Sequence, residues 1–250
     1  VNQTKIVSWN VNGIRSVCRK GFPEILEKMN PDVLCLQEIK ADLADVPSIA
    51  KDYFAYWLPS KRKGYSGVGI LSKQEPLEVL SFPEMSKFAE DGRMLAVRFP
   101  KCTLFSLYFP NGGRDKEMMP FKFDMYGTFL NLLRKQEGGI VLCGDFNVAH
   151  TAMDLARPRE NANNTMFTPE ERSQLDQLVS AGFVDTFRHM NPEQKKYSWW
   201  LYSANSRERD IGWRIDYVFV SKELTKNVKE AFIISDIQGS DHCPVGAVIE

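Results

Sequence analysis

The chain has little of what most catalytic chemistries require. It holds three histidines, at His150, His189 and His242, with no H-x-x-x-H pair among them. Its five cysteines (Cys18, Cys35, Cys102, Cys143, Cys243) are scattered and never form C-x-x-C. Zinc hydrolysis is thereby left without its usual ligand spacing. An odd, dispersed set of thiols, most beside apolar runs, argues for reduced cysteines of a cytosolic protein rather than a disulfide framework. Net charge is also missing, because 32 basic residues balance 32 acidic ones. Nucleic-acid binders are often basic, so this balance counts against that class unless the charge is polarised over the surface. No apolar run approaches the ~18 residues of a membrane span. The N-terminal "VNQTKIVSWN" carries no basic n-region or apolar h-region, so the chain reads as neither secreted nor membrane-bound. P-loop and dinucleotide fingerprints are absent, and "GYSGVG" around Ser66 is not the G-x-S-x-G of a nucleophile elbow.

What is present is a series of short apolar runs with β character. They fall at residues 5–9, 32–37, 66–71, 94–99, 103–109, 140–143, 214–220, 229–234 and 245–249. Helical patterns lie between some of them. "GFPEILEKMN" sets Phe22, Ile25, Leu26 and Met29 on one face, and "FKFDMYGTFLNLLRKQ" does the same with Phe129, Leu130 and Leu133. "TPEERSQLDQLVSAG" has the fullest set of helix signals: Thr168 as N-cap, Pro169 at N1, Glu171 closing a capping box and Gly182 after the last periodic residue. No linker and no repeat interrupts the chain, so residues 1–250 are read as a single α/β domain, mixed sheets covered by helices.

The ends of the apolar runs carry the unusual chemistry. Residues 140–143 run directly into Asp145, Asn147 and His150. Asn10 and Asn12 follow the first run, Glu38 the second, and Tyr108, Asn111 and Arg114 close the fifth. Asp216 lies in the seventh, and Asp241 and His242 precede the last. One such end is an ordinary turn. Five or six suggest strand ends converging on one polar crevice, where open sheets bind ligands. The inventory is of hard oxygen donors: Glu38, Asp145, Asp216 and Asp241, with amide oxygens of Asn10, Asn12 and Asn147. Such donors suit Mg²⁺ or Mn²⁺. An ion held by few carboxylates typically acts on phosphates, with a carboxylate or imidazole preparing the water. The residues alone therefore point to metal-assisted hydrolysis of a phosphodiester or phosphomonoester.

The stretches "SWNVNGIR", "DVLCLQEIK", "KGYSGVGILS", "YFPNGG", "VLCGDFNVAH", "DLARPRENAN", "FTPEER", "VDTFRH", "GWRIDYVFVS" and "GSDHCP" resemble, in order, the exonuclease III class of apurinic/apyrimidinic endonucleases. The resemblance runs from about residue 5 to the C-terminus. It implies a four-layered α/β sandwich, two mixed β-sheets face to face with helices outside, of the DNase I-like kind. It also implies hydrolysis of double-stranded DNA 5′ to an abasic site, leaving a 3′-hydroxyl, with 3′-to-5′ exonuclease and 3′-phosphodiesterase activity. Carried over by motif, Glu38 is the main metal carboxylate, helped by Asn12 and by Asp241 further out. Asp145 prepares the attacking water, with Asn147 and Asn10 holding the reaction centre. His242, paired with Asp216, meets the scissile phosphate, and Tyr108 stabilises the phosphate or leaving group. Asp145, Asn147 and His242 are the candidates for a second or displaced metal. Asn111, Asn161 and Asn164 are expected on neighbouring phosphates or the sugar, and Trp199, Trp213 and Ile215 as walls of a pocket for the baseless sugar.

Position 12 is Asn where some relatives carry Asp, and others carry Asn. The chain begins at its first strand without the basic, redox-associated extension of the animal enzymes, so no transcription-factor role is carried over. The protein is expected to act as a monomer in the cytoplasm, associated with the nucleoid in a prokaryote. Basic clusters at 61–65, 157–160 and 207–214, with Arg114, are expected to share the face of the metal site. Ser203 falls where some relatives place a bulky wedge, so Arg114, or Tyr202 or Arg207, is expected to fill the gap left by an extruded sugar. Two other readings stay open: a superfamily phosphatase acting on small phosphate esters, and an inactive binder of damaged DNA.

Overall fold

The structure, a computed structural model, describes residues 3–42, 44, 51–203 and 205–250. Strands are β1 (Thr4–Asn10), β2 (Val33–Gln37), β3 (Phe54–Leu58), β4 (Val68–Ser72), β5 (Glu78–Leu80), β6 (Met94–Arg98), β7 (Cys102–Tyr108), β8 (Gly139–Asp145), β9 (Phe183–Asp185), β10 (Trp199–Trp200), β11 (Gly212–Trp213), β12 (Asp216–Ser221), β13 (Val228–Ile233) and β14 (Val245–Ile249). Helices are α1 (Ile14–Cys18), α2 (Phe22–Met29), α3 (Ser86–Glu90), α4 (Met119–Leu133), α5 (Pro169–Ser180) and α6 (Thr186–Met190). Among the described residues they form two six-stranded sheets, ordered β13-β14-β1-β2-β4-β3 and β5-β6-β7-β8-β12-β9, with a β10-β11 ribbon beside them. Both sheets are mixed: β1 runs parallel to β2 and β7 to β8, while the other pairs are antiparallel.

The layering follows from the two-residue period of the strands. Ile6, Cys35 and Ile70 of the first sheet meet Val97, Leu104, Val141 and Val218 of the second in one core between the sheets. The alternate residues Val7, Trp9, Leu34 and Leu36 face outward against Phe22, Leu26 and Met29 of α2. On the other side Phe105, Leu107, Leu142 and Phe219 take Met125, Phe129 and Leu133 of α4 with Leu175 and Leu178 of α5. Strands covered on both faces read as continuous apolar runs, which is why β1, β2, β8 and β12 are plain in the sequence. The result is the expected four-layered sandwich.

Several elements depart from the sequence expectation. The edge strands β5 and β9 have three residues each, too few for an apolar run, while the edge strand β3 is an apolar run, FAYWL, that sequence reasoning missed and that stays partly exposed. Short α1, α3 and α6 span five residues each, too few for a visible helical period. The run at 66–71 begins two residues late because Ser66 and Gly67 are left-handed (φ 44 and 89). The run at 214–220 also begins two residues late, since Arg214 and Ile215 join the ribbon strand ending at Trp213 to β12, which starts at Asp216. Ile25 is half-buried rather than part of the core. The signals on α5 stand as read: Thr168 accepts from the Glu171 N–H and Glu171 accepts from the Thr168 N–H.

Candidate active site

Strand register delivers the polar residues to one place. Tyr108 at the end of β7 pairs with Asp145 at the end of β8, and Asp145 pairs with Asp216 at the start of β12. In the other sheet Asn10 ends β1 opposite Gln37, so Glu38 comes next to it. The sheets are joined here by the Asn10 amide, whose nitrogen donates to Glu38 Oε1 at 2.8 Å and to Asp145 Oδ2 at 2.9 Å. The glycine of "CGDFN" is set by close approach, since a Cβ on Gly144 would lie 1.9 Å from the Leu107 carbonyl oxygen. Asp145 Oδ1 accepts the Asn147 N–H at 2.8 Å, and the Asn147 amide nitrogen donates to the Phe109 carbonyl at 2.8 Å and to Asp145 Oδ2 at 3.2 Å.

The loop before β14 adds the imidazole. His242 Nδ1 lies 2.9 Å from Asp216 Oδ2, and its Nε2 lies 3.9 Å from Asp145 Oδ2. The loop is tied down by Trp9 Nε1, which donates to the His242 carbonyl at 3.2 Å, and by the Ser240 hydroxyl, which donates to the Asn10 carbonyl at 2.8 Å. The Ser198 hydroxyl donates to Asp216 Oδ2 at 2.6 Å and accepts the Ile215 and Asp216 N–H groups. The Tyr108 phenol lies near the Glu38 carboxylate and interacts with it electrostatically.

The electrostatics are those of a buried space crowded with carboxylates. Burial pushes Asp145 up to about 8, reinforced by Asp216 and Glu38 and opposed by His242 and the Asn10 amide. Burial alone would depress His242, but Asp216, its hydrogen bond and the charges of Asp145 and Asp241 outweigh it and push the imidazole up to about 10. Burial works against the Asp241 carboxylate, yet His242 and hydrogen bonds from Asn12 and Trp199 hold its pKa below the usual value. Burial, then Glu38 and Asp145, keep Tyr108 a neutral phenol. The environment thus favours added positive charge. Glu38, Asp145 and His242 offer ligand atoms all within 4.8 Å of one another, and Asp216 Oδ1 is buried with no hydrogen-bond partner. Oxygen-dominated donors with uncompensated negative charge fit a hard divalent cation.

Not every expected residue lies where the sequence suggested. Asn10, expected to offer its oxygen to an ion, turns that oxygen to the Asn12 N–H at 3.0 Å and faces the carboxylates with nitrogen. Asn12 donates to Asp241 Oδ1 at 3.0 Å, while its oxygen accepts from Lys40. Asn111, Arg114, Asn164 and Ser203 are exposed and Asn161 is half-buried, all outside the buried cluster. The Asn164 amide nitrogen donates to Asn161 Oδ1 at 2.8 Å. Arg114 makes no ion pair among the described residues. Trp199, Trp213 and Ile215 do come together, with Ala149, Leu155, Met166 and Phe167. Ile215, only 1% exposed, lies beneath this group rather than at its open wall. Trp199 Nε1 donates to Asp241 Oδ2 at 3.0 Å, and its ring lies 6.3 Å from that of His242.

The basic cluster at 207–214 is also corrected. Arg214 is 1% exposed and pairs with Asp154 at 2.8 Å and Asp185 at 2.7 Å. Arg207 donates to the carbonyls of Ser235, Ile237 and Ser240 and covers the Trp200 ring. Neither guanidinium is free to meet a ligand or fill a gap; Tyr202 is 69% exposed. Sequence reasoning missed Lys40, Ser198, Met166, Phe167 and Lys122. The buried Lys122 donates to the Asn147 carbonyl at 2.8 Å and pairs with Glu171, which also accepts the Met166 N–H. For Lys40 a signal existed, because it stands two residues after Glu38 in "LQEIK".

Comparison with known proteins gives this geometry its context. Residues 7–242 match the endonuclease/exonuclease/phosphatase family. The chain is 41% identical to an exodeoxyribonuclease of Bacillus subtilis over 98% of its own length and 99% of that protein. It is 37% identical to a DNA-(apurinic or apyrimidinic site) endonuclease of Dictyostelium discoideum, covering 100% of this chain and 71% of that one. An AP endonuclease structure from Archaeoglobus fulgidus superposes with a TM-score of 0.90 at 28% identity over 99% of both chains. A 3′ phosphatase from Neisseria bound to product DNA hairpin gives 0.89 at 26% identity, again over 99% of both.

Proposed function

The chain belongs to the endonuclease/exonuclease/phosphatase family, in its branch of DNA-repair exodeoxyribonucleases and apurinic/apyrimidinic endonucleases, and from that premise we propose that it cleaves duplex DNA on the 5′ side of an abasic site with the aid of Mg²⁺ or Mn²⁺. The product is a 3′-hydroxyl, and 3′-to-5′ exonuclease and 3′-phosphodiesterase activities accompany it. The protein acts as a monomer built as one domain, in the cytoplasm, and with the nucleoid if its cell is prokaryotic. Among the described residues no helix is long and apolar enough to cross a membrane.

The observation that carries the reading is the buried line from Asp216 through His242 to Asp145, with Glu38 beside it. Glu38 would hold the ion, with Asn12 and Asp241 around it and Asp145, Asn147 and His242 available to a second or displaced one. When bound, a divalent ion polarises a phosphoryl oxygen and neutralises the leaving oxyanion. Asp145, oriented by the Asn147 N–H and the Asn10 amide, takes the proton of the attacking water. Its acidity near neutral pH suits a group that must both lose and accept a proton. His242, held cationic by Asp216, meets a non-bridging oxygen of the scissile phosphate. Tyr108, kept as a neutral phenol, donates to the phosphate or the leaving oxygen.

Selectivity for damage rests on the apolar group beside His242. Trp199, Trp213 and Phe167, above the floor made by Ile215, form a space that admits a baseless sugar and excludes a base by size. Asn111, Arg114, Asn161 and Asn164 steady neighbouring phosphates. A duplex carrying one abasic analogue, incubated with the protein and Mg²⁺, tests the reading. A nick at the analogue supports it. Binding without a nick supports an inactive damage binder, and turnover of small phosphate esters alone supports a phosphatase.

A further inference from the structure

Three residues around the Glu38 carboxylate hold a left-handed backbone without being glycine: Asn12 (φ 44), Glu38 itself (φ 49) and Lys40 (φ 49). This conformation is costly for an L-residue and persists where surrounding structure fixes a side chain's direction. Here all three directions meet at one ammonium. Lys40 Nζ lies 2.7 Å from Glu38 Oε2 and donates to Asn12 Oδ1. The backbone beneath is pinned, with the Lys40 N–H on the Ser66 carbonyl at 2.8 Å and the Ile39 N–H on that of Gly67 at 3.1 Å. Glu38 Oε1 accepts from Asn10 and the Asn12 amide nitrogen donates to Asp241. Lys40 thus occupies the Glu38 oxygen that Asn10 leaves available, together with the Asn12 oxygen.

Those are the oxygens a hard divalent ion at this centre would take. An ammonium is a compact, strongly hydrated point charge that seeks the same donors. We propose that Lys40 is a built-in competitor for the metal: its ammonium occupies the outer half of the cation site, between Glu38 and Asn12, and a divalent ion binds there only by displacing it. The inference rests on the reading of this centre as a divalent-cation site. The lysine has somewhere to go. Its side chain is 34% exposed, and it borders an open cavity of about 350 Å³ lined also by Arg15, Ser16, Arg19 and Gly64. Because position 12 is a neutral Asn, the outer half offers the carboxylate of Glu38 alone to two rival cations. The competition therefore weakens ion binding in the free protein.

The test is direct titration of Mn²⁺ into DNA-free protein, read by the free-ion paramagnetic resonance signal and by calorimetry. Wild type, Lys40→Met and Lys40→Arg are compared, with thermal melts to establish that all three are folded. Removing one positive charge from beside the ion should tighten Mn²⁺ binding about tenfold in Lys40→Met. Lys40→Arg, which keeps the charge, should stay near wild type. Equal or weaker binding by folded Lys40→Met would overturn the competition while leaving the metal centre standing. If neither protein bound Mn²⁺, the reading of the centre itself would fall, and the proposal with it.

Discussion

His242 lies between two carboxylates, with Nδ1 2.9 Å from Asp216 Oδ2 and Nε2 3.9 Å from Asp145 Oδ2. The first contact is a hydrogen bond and the second is long enough to admit a substrate oxygen. An imidazole so placed is oriented and charged by one carboxylate while its other nitrogen faces the second. Asp145→Asn and His242→Asn should therefore each lower cleavage by about 10²–10⁴-fold while leaving abasic-duplex affinity near wild type. Single-turnover rates and binding isotherms on the same duplex check this. A parallel loss of affinity and rate would remove that residue from the chemical step.

The same crowding should make the metal-free protein less stable as pH rises. Asp145 has its pKa raised from 3.8 to about 8, so its contribution is full below 3.8 and is lost progressively up to about 8. His242 is raised from 6.5 to about 10, so its contribution is full below 6.5 and is lost on the way to about 10. Melting temperature in chelator should fall across these windows. Asp145→Asn, which removes a buried charge without changing shape, should melt higher than wild type at pH 8, by at least about 2 °C. A lower melting temperature for this variant at pH 8 would contradict the assigned direction of the Asp145 shift.

Ser198 offers a test of positioning. Its hydroxyl donates to the Asp216 oxygen that also meets His242, and it accepts two backbone N–H groups. Ser198→Ala should loosen Asp216, lower the His242 pKa and move the alkaline limb of the rate profile to lower pH. Ser198→Thr should restore the limb. An unchanged pH profile in the alanine variant would reduce Ser198 to a structural contact.

Much of this arrangement was legible in the sequence, and the reasons are physical. Strands buried on both faces, such as β8, leave continuous apolar runs, and their register carries Tyr108, Asp145 and Asp216 together at one end. Edge strands such as β5 and β9, three residues long, leave no such trace. The direction of an amide is invisible in a string of letters. The sequence offers Asn10 as a source of ligand oxygen, yet the Asn12 N–H claims that oxygen. Charge in a sequence is equally silent about burial. Arg214 reads as part of a basic surface, and only the fold reveals Asp154 and Asp185 beside it.

The exposed loops give a fourth prediction. Arg114 makes no ion pair among the described residues, Ser203 is short, and Arg207 is held by three carbonyls. Arg114→Ala should speed release of nicked duplex more than Ser203→Ala does, because an Arg can fill a vacated stack and a serine fills little of it. Stopped-flow dissociation of the product from both variants decides the matter. Equal, unchanged off-rates would leave Arg114 without this role.

If the Glu38, Asp145, Asp216 and His242 cluster works as proposed, it breaks one particular bond. The most direct measurement maps the ends made from a closed duplex with a single abasic analogue, in Mg²⁺ and in chelator, with wild type and Glu38→Gln. One nick is expected immediately 5′ of the analogue, bearing a 3′-hydroxyl, made by wild type in Mg²⁺, abolished by chelator and strongly reduced in Glu38→Gln. A nick on the 3′ side, an end bearing a 3′-phosphate, or full activity in chelator would contradict this.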